Sequence, residues 1–145
     1  MTGVHPSFAM QAGCVAIGRR AILIDGPPGT GKSSLALGLI DRGADLIGDD
    51  SVILATAEDC LIAAPHPRTR GLLEVRNLGL LPFPCRERAP VALVITMDAA
   101  APRYIERPER VTIGGIILPR VRIWPEEYGS AIKAELALRH YGLHF

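Results

Sequence analysis

Eight residues constrain this chain more than any other stretch: Gly26, Pro27, Pro28, Gly29, Thr30, Gly31, Lys32 and Ser33. They match the pattern G-x-x-x-x-G-K-[ST], a loop whose backbone N–H groups cradle phosphate. The flanks agree with it. Ala21-Ile22-Leu23-Ile24-Asp25 predicts a buried strand, and Ser34 to Arg42 predicts a helix with Leu35, Leu39 and Ile40 on one face. A strand that runs through such a loop into a helix gathers N–H donors on one anion, and the helix dipole adds to their pull. In this pattern Lys32 reaches the outer phosphates and the Ser33 hydroxyl serves Mg²⁺. A glycine-rich turn with no ligand is the plainer reading, but it does not account for the strand before and the helix after. Binding of a nucleoside triphosphate or a similar polyphosphate is therefore predicted. Lys32 and Lys133 are the only lysines in an Arg-rich chain, so the loop lysine is not a by-product of a lysine-rich surface.

The length of 145 residues suits one domain, 1–145, with its own core. The first ten residues predict a loose lead-in. A net charge of +1 gives no global field that would favour nucleic acid or a membrane surface. Three cysteines, Cys14, Cys60 and Cys85, lack metal-type spacing and read as reduced thiols in a cytoplasmic protein. No apolar run reaches the length of a membrane span.

Gly13 to Ile17 and Ala21 to Ile24 predict a strand pair about a Gly18-Arg19-Arg20 turn. After the helix, with Gly43 placed to end it, short strands are predicted at Asp45–Gly48, Val52–Thr56, Leu61–Ala64 and Leu72–Val75. Prolines mark loops at Pro65 to Gly71 and Pro82 to Pro90. The apolar run Val91 to Met97 predicts a central strand ending at Asp98. A loop from Ala99 to Arg110 precedes strands at Val111–Ile113 and Ile116–Leu118, the latter extending toward Ile123. Trp124-Pro125-Glu126-Glu127 predicts the start of a last helix through about His140. Most phosphate-loop proteins alternate strand and helix throughout. This pattern predicts instead an α/β domain of α+β character, a small mixed sheet with one helix after the loop and one at the C-terminal end.

Two acidic positions compete for the chemistry. Asp49-Asp50 follows an apolar strand soon after the loop helix, where a carboxylate can hold Mg²⁺ or accept a proton. Asp98 ends an aliphatic strand and competes for the metal role. Either can equally be a strand-end turn residue.

The combination resembles the catalytic domain of HPr kinase/phosphorylase. The loop and Leu35-Ala36-Leu37-Gly38-Leu39-Ile40-Asp41-Arg42-Gly43 are similar to that family's G-x-S-G-x-G-K-S loop and A-L-x-L-I-x-R-G helix. Asp49-Asp50 falls at the family's Asp-Asp pair. Leu72-Leu73-Glu74-Val75-Arg76-Asn77-Leu78-Gly79-Leu80 is similar to L-E-[IV]-R-G-L-G-[IL], and Glu106-Arg107 followed by Leu118-Pro119 to E-R…I-P. The resemblance implies an ATP- and Mg²⁺-dependent serine kinase acting on HPr, the phosphocarrier of the sugar phosphotransferase system, able also to remove the phosphate by phosphorolysis. It implies a short form without the N-terminal domain of longer members, and a possible homo-oligomer. By position, Lys32 stabilises the phosphates, Ser33 and Glu74 hold Mg²⁺, Asp50 is the general base with Asp49 beside it, and Arg107 grips the substrate.

The chain departs from that pattern at four places. Gln11 stands where the family has His, with His5 out of register; Ser34 replaces an acid; Asn77 replaces a glycine; and Trp124 to Tyr128 replaces R-P-G-R-N, keeping only Pro125. The loss of the His and of the acid removes partners that tune the Asp pair, since nearby charges shift a carboxylate's pKa. The exchange of two arginines for Trp and Glu is expected to weaken phosphate capture. These departures leave two other readings beside the kinase: a nucleotide-binding regulator with the kinase fold and little turnover, and an unrelated phosphate-loop ATPase or small-molecule kinase.

Overall fold

In the computed structural model, residues 6–125 and 127–145 are described; His5 and Glu126 lie outside them. Eleven strands and two helices follow in chain order: β1 Ser7–Met10, β2 Gly13–Ile17, β3 Arg20–Asp25, α1 Lys32–Asp41, β4 Asp45–Gly48, β5 Val52–Ala57, β6 Cys60–Pro65, β7 Leu72–Val75, β8 Gly79–Pro82, β9 Ala89–Met97, β10 Glu109–Ile113, β11 Ile116–Ile123 and α2 Ser130–Tyr141. Nine strands form one mixed sheet in the order β1-β5-β6-β9-β3-β2-β4. The β10–β11 hairpin joins it through β11, which lies parallel to the C-terminal half of β9. The β7–β8 hairpin stands apart. This is the mixed α+β architecture that the spacing of apolar runs predicts.

The sheet is buried on both faces at its centre. Alternate residues of β3 go to opposite sides: Ile22 and Ile24 join the core beneath the helices, with Leu35, Leu39, Ile95 and Leu138, whereas Leu23 joins a second core with Leu54, Leu61, Val94 and Leu118. Burial on both faces is why β3 and β9 read as continuous apolar runs rather than as alternating ones. The second core is closed by the sheet itself, since β5, β6 and the β10–β11 hairpin supply its outer residues.

Strand direction places the functional groups. β3 and β9 are parallel, as are β9 and β11. β2 is antiparallel to both β3 and β4, so β4 runs with β3. The C-terminal ends of β3, β4, β9 and β11 therefore share one edge, which carries the loop, Asp49-Asp50, Asp98 and Trp124. Ligands of open α/β sheets bind outside such carboxyl ends.

Three expectations change. Ser7–Met10 is not a loose lead-in but an edge strand paired antiparallel with β5. It is mostly exposed, so no alternation marked it in the sequence. Gly79–Pro82 is a strand, β8, where only the first half of a hairpin is predicted. The last helix begins at Ser130, not near Trp124. Gly129 precedes it with φ 81°, and the Trp124 indole N–H is drawn away to the Ala101 carbonyl, 2.7 Å distant. The acids that suggested a first turn thus precede the helix.

Candidate phosphate-binding site

The loop is a turn pinned from within. Thr30 Oγ1 donates to the Pro27 carbonyl at 2.7 Å, and Lys32 Nζ donates to the Gly26 carbonyl at 2.7 Å. Gly31 caps α1 in the left-handed region, φ 90°, and no side chain bonds to the first-turn N–H groups. Those uncapped donors and the positive end of α1 are what an anion needs. They face a cavity of about 420 Å³ lined by Gly29, Lys32, Ser33, Glu74, Arg76 and Asn77 among others.

Gly26 is demanded by contact as well as by conformation. Its φ is 140°, and a Cβ there would lie 2.8 Å from the Met97 carbonyl oxygen at the end of β9. Backbone cannot yield cheaply at that distance. Gly26→Ala is therefore expected to lift the loop off β9 and to abolish nucleotide binding. Calorimetric titration with ATP and Mg²⁺, beside circular dichroism, checks this; full affinity in a folded variant would contradict it.

Asp49 ties the site together. Its Oδ1 accepts from Ser33 Oγ at 2.7 Å, and its Oδ2 accepts from the Glu74 backbone N–H at 2.9 Å. One carboxylate thus links the loop, the end of β4 and the β7–β8 hairpin. Leu73 anchors the hairpin, being fully buried under α1, and so holds Glu74 at the cavity. Ser33 Oγ and Asp49 are paired and Glu74 lines the same cavity, and hydroxyl and carboxylate oxygens are the hard donors that Mg²⁺ takes.

The remaining candidates differ in their surroundings. Asp50 is exposed, with φ 65°, and lines neither cavity beside the loop. Arg107 is exposed in the segment between β9 and β10 and likewise lines neither. Asp98 is engaged elsewhere: Oδ1 accepts from the Ala100 N–H at 2.8 Å and Oδ2 from Arg122 at 3.0 Å. That backbone N–H and the Arg122 guanidinium hold its carboxyl below the ordinary range. Arg122 also donates to Glu109 at 2.7 Å. Asp98 thus belongs to an ion-pair chain rather than to the loop cavity.

Arg76 is the residue the sequence reading passes over. It lines both the cavity of about 420 Å³ and an adjoining one of about 360 Å³ between α1 and the Glu127–Ala131 segment. The signal was its place in a turn two residues beyond Glu74. Asn77, in the same turn, has φ 75°. Asn suits that position, since it tolerates the left-handed region better than most residues.

Fold and site together define a phosphate-loop protein in which the first acid of an Asp-Asp turn bridges the loop serine and the β7–β8 hairpin. The family model for the HPr Serine kinase C-terminal domain matches residues 4–107, and the chain belongs to that family. It is 43% identical over 77 residues to the HPr kinase/phosphorylase of Shouchella clausii, covering 52% of this chain and 25% of the relative. It is 32% identical over 115 residues to that of Streptococcus equi subsp. zooepidemicus, covering 70% and 37%. The chain thus spans about a quarter to a little over a third of the length of these curated relatives. The structure of the Hpr(Ser) kinase/phosphatase from Coxiella burnetii has the same fold, with a TM-score of 0.80 at 24% identity over 91% of this chain and 94% of that one. No helix among the described residues is long and apolar enough to cross a membrane.

Proposed function

We propose that the chain is an ATP-dependent, cytoplasmic serine kinase acting on an HPr-like phosphocarrier protein and so regulating carbohydrate uptake and use. The observation that carries this reading is the Asp49 link. The loop, the Asp pair and the L-E-V-R hairpin are separate motifs in the sequence, and one carboxylate joins all three at one cavity. In this reading the uncapped N–H groups of α1, Lys32 and Arg76 hold the phosphates. Ser33, Asp49 and Glu74 hold Mg²⁺, which when bound neutralises charge on the transferring group. Asp50 accepts the proton of the acceptor serine hydroxyl as its Oγ bonds to the γ-phosphorus and the bond to ADP breaks. Arg107 meets the incoming protein. Exposed Leu78 and Leu80 on the β7–β8 hairpin beside the cavity favour a protein acceptor over a small one.

A nucleotide-binding regulator with little turnover is the second reading. It is favoured by Asp50 standing outside both cavities beside the loop.

One pair of assays tests both readings. With labelled ATP, Mg²⁺ and an HPr-like protein, γ-phosphate is expected to move to a serine; binding of ATP without transfer would leave the regulator. In the reverse direction, phosphorolysis of the phosphoserine form is expected to be weak or absent. Two anions in one site need cationic donors. Glu127 and Tyr128 line the cavity wall where the family has the R-P-G-R-N segment. Arg122, the nearest replacement along the chain, is taken up by Asp98 and Glu109. Brisk pyrophosphate release from phosphoserine protein and millimolar-range phosphate would overturn that expectation.

A further inference from the structure

A separate cavity of about 430 Å³ lies between α2, the end of β11 and the segment after β9. It shares no lining residue with the two cavities beside the loop. Its walls are apolar: Trp124, Tyr104 and Leu136 line it, with Val121, Ile123 and Ala137 at the margin of the helix-side core. The Trp124 indole N–H is spent on the Ala101 carbonyl, so the ring presents an apolar surface. Tyr104 and Leu136 remain 81% and 41% exposed although they adjoin a concavity. Water covers these groups at a cost that an apolar occupant removes.

The charge around this cavity has one sign. Arg103 and Lys133 line it as cations, and no described Asp or Glu does. The Lys133 ammonium stands 5.6 Å from the centre of the Trp124 ring, so cationic and aromatic groups are already side by side. Arg122 also lines the cavity, but its charge is answered by Asp98 and Glu109. A concave, largely apolar site with a few convergent polar groups, in the range of about 300–1,000 Å³, is the form that small-molecule sites take. Cationic groups over such walls select an anion with an apolar body.

We propose that this cavity is a second ligand site, specific for an amphiphilic organic anion: one acidic head group on an aromatic or aliphatic body. The site does not depend on the kinase reading. Trp124 is the only tryptophan in the chain and reports on it directly. The probe is 8-anilinonaphthalene-1-sulfonate, which absorbs where tryptophan emits. Saturable binding near one probe per chain is expected, with Trp124 emission quenched in step and no displacement by saturating ATP and Mg²⁺. The uncharged analogue N-phenyl-1-naphthylamine is expected to bind more weakly. A folded Arg103→Glu, Lys133→Glu double variant is expected to lose about ten-fold in affinity, a change of the size that a charged contact produces. Leu136→Asp, on the exposed side of α2, is the second variant and is expected to weaken both probes. Binding without tryptophan quenching, displacement by ATP, or undiminished affinity in both folded variants would overturn the proposal. So would loss of the probe as the protein self-associates at rising concentration, because a second copy would then be the occupant.

Discussion

Lys32→Ala is expected to lower ATP affinity by about 10–100-fold, the worth of one hydrogen bond to a charged group at about 1.5–3 kcal/mol. Lys32 lines the loop cavity, and its ammonium hydrogen-bonds only to the Gly26 carbonyl among the described residues. Its loss therefore leaves the loop's other internal bond, from Thr30 to Pro27, in place. Circular dichroism should be unchanged while calorimetry reports the loss. Lys32→Arg keeps the charge but not the compact ammonium, and is expected to recover only part of it. Wild-type affinity in a folded Lys32→Ala protein would exclude the loop as the nucleotide site.

Asp50→Asn is expected to slow phosphoryl transfer by about 10²–10⁴-fold, the usual contribution of a general base, with ATP binding retained. Retention follows from the geometry: Asp50 is exposed and outside the cavity that holds Lys32 and Ser33. Asp49→Asn should behave differently. Asp49 accepts from both Ser33 and the Glu74 N–H. An amide can keep both contacts only by turning its N–H₂ onto the Ser33 oxygen, which removes the carboxylate charge and occupies a serine lone pair that Mg²⁺ would use. Mg²⁺-dependent ATP affinity is expected to fall together with rate. Single-turnover transfer beside nucleotide titration separates the two variants. Near-normal transfer by Asp50→Asn, with loss confined to Asp49→Asn, would move the base assignment to Asp49.

The elements that the sequence made legible are those whose signal is local. The loop announces itself because its residue types stand at fixed spacing and Gly31 meets a local demand, the left-handed cap of α1. β3 and β9 were legible because burial on both faces leaves an unbroken apolar run, and Asp45–Gly48 and Leu72–Val75 fall where predicted. The misses share a cause. Ser7–Met10 is a strand only because the edge of β5 is there to receive it. The start of α2 was misplaced because proline followed by acids imitates a first turn, whereas the Trp124–Ala101 bond decides the path of the chain.

The site divides along the same line. Sequence by itself determined the phosphate loop, the helix behind it and the family, because each rests on residue types at fixed spacing along the chain. Only the tertiary structure decided which acid meets the loop serine. Asp49 and Asp50 are equal as letters. The turn after β4 gives Asp50 a left-handed backbone and leaves it exposed, while Asp49 falls between Ser33 and the hairpin. Arg76 joins the site for the same reason. Its place depends on Leu73 burying one face of β7 beneath α1, a contact between segments more than thirty residues apart that no local pattern encodes.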